Sequence, residues 1–416
     1  MQTFLTKNRW MALVASALCQ CISNFPGVWG VLQPYVATEY GYSLDSSTLV
    51  MPLCVVAFGF LSILGGRLQD VTGSPRVSAM IGGAMIGVAF INAYWIPAGN
   101  PLFMYIGFSF FFGGGCGFLF SAFFTCAMKW YADKKGFANG VSGSVASFYL
   151  IPLSLVLRNL LSAVGTRKTF LVMGIFSVLA IAICTLFFVN PTEEYMQEKN
   201  ALQNTTKKNT KPQPDAVDFK TNEMLRTKQY YLLISSIILV TPAFMLINPA
   251  LVTISMEKGL TEAAALALFS ASTIAAALGR LIIPWLSDYL GRKKTMVASW
   301  AVVVVTAFLF MVGTSKTIPV VFTVMAFFNS GGFVIIAPMS TELFGYKYSG
   351  TNVGFVNIAT SVGSLSGPLL LSVFAPLLGT NARGIIGVTG ALISVLLLLA
   401  LNTNMQAAKE KLTAKT

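Results

Sequence analysis

Twelve stretches of this chain are apolar for long enough to cross a lipid bilayer, and that repetition constrains the fold more than any single motif. They lie at about 10–36, 46–66, 76–96, 101–128, 137–157, 168–190, 229–255, 262–287, 294–313, 317–343, 349–378 and 384–403. A spanning helix needs roughly 20 apolar residues, because each advances about 1.5 Å through a hydrocarbon layer about 30 Å thick. Inside that layer only helices or closed barrels satisfy their own backbone polar groups. Barrel strands alternate polar and apolar positions, whereas these runs are continuous. Composition agrees: 55% of the 416 residues are hydrophobic and 10% charged, against about a quarter charged in soluble domains. The chain is therefore expected to be an all-α membrane protein with twelve transmembrane helices, and a soluble enzyme is excluded.

The absence of His removes a His general base, a His proton relay and His-based metal sites. No cofactor and no metal site are expected. The six cysteines, Cys19, Cys21, Cys54, Cys116, Cys126 and Cys184, all sit in apolar runs and read as buried free thiols. The first run follows a short basic leader (Lys7, Arg9), exceeds a signal-peptide core and ends without a small-residue cleavage site. It reads as an uncleaved span.

Lys and Arg set the orientation, since they accumulate in cytoplasmic loops. With a cytoplasmic N-terminus and alternating spans, 21 basic residues fall inside, 6 outside, and Arg280 is left over. The net charge of +13 then reflects topology and anionic lipid, not nucleic acid. The polar segment 191–228, rich in Lys, Thr, Asn and Pro, reads as a cytoplasmic linker. It divides the chain into a six-helix bundle over 1–190 and a second over 229–403, with a cytoplasmic tail at 404–416. An internal repeat supports the division. Leu68-Gln69-Asp70-Val71-Thr72-Gly73, with Arg76 beyond, joins spans 2 and 3; Leu286-Ser287-Asp288-Tyr289-Leu290-Gly291-Arg292 joins spans 8 and 9, 218 positions later. A second echo pairs Gly136 and Gly140 before span 5 with Gly350 and Gly354 before span 11.

At these residues a family resemblance becomes explicit. The Gly66-x-Leu68-x-Asp70-x-x-Gly73 loop resembles the signature of the major facilitator superfamily. Lys129-Trp130-Tyr131-Ala132-Asp133-Lys134-Lys135-Gly136 and the run from Gly279-Arg280 to Gly291-Arg292 resemble the oxalate/formate antiporter family and its relatives, the monocarboxylate transporters. The resemblance implies the major facilitator fold, alternating access across the cell membrane, and small organic anions as cargo. It also implies that Asp70, Arg76, Asp288 and Arg292 belong to a cytoplasmic latch that gates the pathway.

Arg280 carries the chemistry. It lies eight residues before Asp288, roughly 12 Å into the membrane, where a charge costs at least about 2.5 kcal/mol. All 15 acidic residues fall in loops or at helix ends. An intramembrane guanidinium of this kind suits a carboxylate substrate, which it grips through two parallel hydrogen bonds. The alternatives are that Arg280 snorkels to the interface or is held by backbone carbonyls as a structural element. Exchange of one anion for another needs no titrating group in the pathway, whereas proton symport does, so antiport is expected. A proton-coupled organic-anion symporter would require a titratable group outside the span cores, such as Glu39 or Glu342. A non-transporting membrane sensor is the remaining reading, and the short 191–228 segment offers it no signalling domain. The resemblance places a Lys of oxalate exchangers at Thr360 and an Asp of proton-coupled relatives at Ala276. The missing Lys favours a monoanion over oxalate.

Trp29, Gln33, Tyr149, Asn329 and Thr360 are the remaining candidates for the substrate pathway, each also compatible with an interhelical structural role. The glycine-rich Phe110–Phe118 run of span 4 reads as a close-packing face. The expected partners are a small organic anion and the lipid bilayer, with the chain working as a monomer in the cytoplasmic membrane and both termini inside.

Overall fold

The computed structural model describes residues 9–43, 46–47, 49–131, 134–192, 195, 218–406 and 409. Lys7, Asp133, most of the 191–228 linker and most of the 404–416 tail lie outside the described residues. Helices occupy the chain in twelve passes: α1 (Arg9–Ser23 and Phe25–Tyr40, bent by 43°), α2 (Val50–Thr72), α3 (Pro75–Trp95), α4 (Leu102–Trp130), α5 (Lys135–Val164), α6 (Thr166–Thr185), α7 (Lys228–Glu257), α8 (Glu262–Leu290), α9 (Arg292–Val312), α10 (Ile318–Phe344), α11 (Ser349–Leu378) and α12 (Ala382–Ala400). No strand occurs among the described residues. The ends follow local chemistry. Thr227 and Thr261 accept hydrogen bonds from Tyr230 and Ala264 at the starts of α7 and α8, as N-caps do. Gly73 ends α2 in the left-handed conformation, at φ 65°, which costs glycine nothing.

The helices run further into the repeated loops than the apolar pattern implies. Gly66–Thr72 and Pro284–Leu290 are helical, so the connections shrink to Gly73-Ser74 and Gly291. A helix need not stop where the hydrocarbon does, and polar side chains continue it into the interface.

The chain forms two compact units: Met1–Ala138 with Val145–Gln213 and Lys347–Ile358, and Asn139–Ser144 with Pro214–Tyr346 and Ala359–Thr416. In the first unit the glycines of α4 lie against neighbouring backbone. A Cβ at Gly113 would strike the Cys54 carbonyl, and one at Gly117 would sit 2.7 Å from the Phe58 carbonyl oxygen. Phe90, Phe108 and Phe112 pack face and edge beside this seam, their centroids 5.3–5.7 Å apart, in the range aromatic pairs prefer. The six cysteines are buried thiols.

In the second unit α8 and α10 meet in the same way. A Cβ at Gly279 would strike the Phe327 carbonyl, and one at Gly331 would sit 2.5 Å from the Gly279 carbonyl oxygen. The stretch before α7 is also part of this unit. Phe219 is fully buried, edge-on to Phe344. Its amide donates to the Phe344 carbonyl at 2.9 Å, and the Asp218 carboxylate accepts from the Tyr346 amide at 2.8 Å. The end of the expected linker is thus fastened to the loop between α10 and α11.

Gly279→Ala should force α8 and α10 apart and destabilise the protein by about 1–3 kcal/mol, the usual cost of overpacking. Gly30→Ala, with nothing within 4 Å of the added carbon, should be neutral or slightly stabilising. Thermal unfolding in detergent compares the two, and equal shifts would contradict the packing role of Gly279.

Candidate functional site

Arg280 lies inside α8, an apolar 29-residue helix of the second unit. It is about 27 Å along α8 from Glu262 and about 15 Å from Leu290 at 1.5 Å per residue, and it is partly buried. Its neighbour Gly279 is the point of closest approach to α10. The first turns of α5 press on the same stretch. A Cβ at Gly140 would lie 2.9 Å from the Arg280 carbonyl oxygen and 3.0 Å from that of Leu281. The Ser144 hydroxyl donates to the Ala277 carbonyl at 2.6 Å. The backbone bearing Arg280 is therefore held on two sides. Arg280 is not a free cation; it is engaged within the protein.

Asn329 lies on α10, between Phe327 and Gly331 of the seam. It is 4% exposed, and its Oδ1 has no hydrogen-bond partner among the described residues. Thr360 on α11 is partly buried, and its carbonyl accepts from the Ser364 hydroxyl at 2.8 Å. Arg280 and Asn329 thus stand on the two helices joined by Gly279 and Gly331.

In the first unit, Trp29 and Gln33 occupy one face of the second limb of α1. Trp29 is 4% exposed, stacks on Phe108 and donates its indole N–H to the Ser47 carbonyl at 3.1 Å. That donor is already used. Gln33 is partly buried and engaged elsewhere in the protein. Tyr149 on α5 is half-buried, close to where α1 breaks.

The break in α1 is a feature that hydropathy does not reveal. Asn24-Phe25-Pro26 bends α1, and Asn248-Pro249 interrupts α7 with a turn of 3₁₀ helix. Asn24 donates to the Ala146 carbonyl at 3.1 Å. Beside it, Gln20 Oε1 and Ser23 Oγ are buried without a hydrogen-bond partner among the described residues. An Asn and Pro pair interrupting the first span of each half is a signal the sequence carried, and discontinuous helices at matching positions mark binding regions in transporters.

The repeated loops divide their labour. Asp70 caps the start of α11: its Oδ1 accepts from the Gly350 amide at 3.1 Å, and its Oδ2 accepts from the Thr351 amide at 2.7 Å and hydroxyl at 2.6 Å. A carboxylate there also meets the positive end of the helix dipole. Gly350 has no room for a side chain, since its Cβ would lie 2.7 Å from the Gly66 carbonyl oxygen. Arg76 does other work, donating to the carbonyls of Leu186 and Phe188 at the end of α6, at 3.0 and 3.2 Å. In the second loop, Arg292 pairs with Asp288 one turn away and with Glu342 of α10 at 3.2 Å, and its side chain is 2% exposed.

Twelve apolar passes, helices interrupted at matching places and a cation in mid-span describe a membrane transporter rather than an enzyme. The Major Facilitator Superfamily matches residues 13–241 and 232–415, and the chain belongs to that superfamily. It is 26% identical to the oxalate:formate antiporter of Oxalobacter formigenes over 391 residues, covering 92% of this chain and 89% of that one. It is 23% identical to monocarboxylate transporter 10 of Rattus norvegicus, covering 89% and 73%. Among solved structures it is similar in fold to the Escherichia coli fucose:proton symporter FucP, with TM-score 0.70, 13% identity and coverage of 94% and 98%. The proton:xylose symporter XylE gives TM-score 0.69, 14% identity and coverage of 94% of both chains. The protein is a multi-pass membrane transporter of small molecules.

Removing one member of a buried pair costs about 3–5 kcal/mol when the other charge is stranded. Asp288, with its side chain 7% exposed, should matter more than Glu342 at 20%. Asp288→Ala is expected to lower the unfolding temperature more than Glu342→Ala. The reverse order would show that Arg292 depends on Glu342 instead.

Proposed function

We propose that this transporter exchanges small monocarboxylates across the cytoplasmic membrane by alternating access, with Arg280 gripping the substrate carboxylate. The observation that carries the reading is a guanidinium about two-thirds of the way along a spanning helix whose backbone is clamped by Gly140 and Ser144. A charge at that depth is costly, and a planar fork of donors matches a carboxylate. The similarity to an oxalate:formate antiporter supports the chemical class. One mid-span cation, with Thr360 uncharged on α11, favours a single negative charge on the cargo. Asn329 Oδ1, buried and unpartnered, would accept from a substrate hydroxyl or a bound water. Gln20 and Ser23, with Oε1 and Oγ buried and unpartnered, join Gln33 and Tyr149 as candidate pathway residues.

Exchange is favoured over proton coupling because the two glutamates named as candidate proton carriers are in ion pairs. Glu39 holds Arg167 at 3.0 Å, and Glu342 holds Arg292 at 3.2 Å. The Lys and Arg bias supports cytoplasmic termini. On that orientation the cap of Asp70 on α11 forms on the cytoplasmic side and serves as one element of the latch. The chain works as a monomer in this reading.

Counterflow in liposomes with labelled mono- and dicarboxylates tests the proposal. Arg280→Gln should lower exchange at least about tenfold, since a charge-assisted hydrogen bond contributes about 1.5–3 kcal/mol. Arg280→Lys should recover part of it. Wild-type rates in Arg280→Gln would remove Arg280 from the site, and uptake driven by a proton gradient into empty liposomes would replace exchange by symport.

A further inference from the structure

At the end of the second unit where α7 turns into α8, a cavity of about 320 Å³ opens between the end of α7, the end of α9 and the start of α12. Ile247, Ile254, Phe310 and Met311 give it an apolar wall, and Glu257, Lys258 and Arg383 supply its charges. Lys258 is fixed in place. Its ammonium donates to the carbonyls of Met311 and Gly313 at 2.8 and 3.2 Å and lies 5.9 Å from the centre of the Phe310 ring. Two of its three N–H groups are thereby used, and one remains for another acceptor.

Arg383 has no such local purpose. It lies in the first turn of α12, a 19-residue helix, where the helix dipole is positive and a cation is disfavoured. Among the described residues it forms no ion pair and no hydrogen bond through its side chain. Two cations against one carboxylate leave the cavity one net positive charge, next to an apolar wall at the level where spanning helices end.

We infer that this cavity binds a singly charged oxyanion head, phosphodiester or carboxylate, attached to an apolar tail. Arg383 supplies the two-pronged donor, Lys258 the point charge, and Glu257 disfavours a dianion. The tail lies along Ile247, Ile254 and Phe310. A head of this kind has two sources, the phosphate of an anionic membrane lipid or a free organic anion. The site stands apart from Arg280 and from the exchange reading.

The test uses the full chain, equilibrated in detergent with a mixture of phosphatidylcholine and phosphatidylglycerol, and counts retained lipid by native mass spectrometry. Wild type should retain phosphatidylglycerol about tenfold more strongly than Arg383→Gln, the effect of one charge-assisted hydrogen bond. Arg383→Lys should restore part of this, and Glu257→Gln should strengthen it. A second arm titrates hexanoate calorimetrically into the protein in phosphatidylcholine nanodiscs, on an Arg280→Gln background, with and without Arg383→Gln. Heat that depends on Arg383 there, with no difference in lipid retention, assigns the head to a free carboxylate. Matching unfolding temperatures confirm that Arg383→Gln is folded. If wild type and Arg383→Gln are the same in both arms, the cavity holds no oxyanion and the inference is overturned.

Discussion

Helices surrounded by hydrocarbon gain little from hiding apolar side chains, because lipid tails are as apolar as leucine. Close approach has to replace the hydrophobic effect, and the rest of this structure depends on it. Gly113 against Cys54, Gly117 against Phe58 and Gly279 against Phe327 bring backbone to backbone. Each such contact gathers many weak dispersion terms that a single methyl group would disrupt. The same economy fixes Arg280, which inherits its position from a seam that its neighbour Gly279 makes possible.

Charge is handled at the helix ends. Arg76 opens α3 and satisfies carbonyls at the end of α6; Lys293 opens α9 and satisfies the Leu399 and Leu401 carbonyls at the end of α12, at 2.9 and 2.7 Å. Both halves use a basic residue just past the repeated Gly turn to close their last helix. The acidic partners diverge. Asp70 spends both oxygens on the backbone of α11, whereas Asp288 takes part in an ion-pair cluster with Arg292, whose other acidic partner, Glu342, comes from α10. The repeat therefore preserves geometry more faithfully than it preserves the chemistry of each side chain.

Much of the fold was legible because a bilayer imposes length and composition on every span. The twelve runs and the internal repeat follow from counting. The ends of α2 and α8 did not, because Arg67, Gln69, Asp70 and Asp288 are polar enough to resemble a loop while remaining helical. The site was read less completely. Trp29 looks like a pathway residue in one dimension, yet its indole N–H is committed to Ser47 and its ring to Phe108. Gln20, Ser23 and the Asn24–Pro26 bend were overlooked, since hydropathy averages over the few polar residues that interrupt a span. Partners such as Ala146 for Asn24 are distant in sequence and invisible to any local pattern.

The fastening of Asp218 and Phe219 onto the loop before α11 has a consequence for how the chain could be divided. A boundary drawn at Lys228, where hydropathy rises, would separate Phe219 from the Phe344 ring it covers and leave that ring facing water. Co-expressed fragments should therefore assemble best when the second begins ahead of Asp218, carrying its own lid with it.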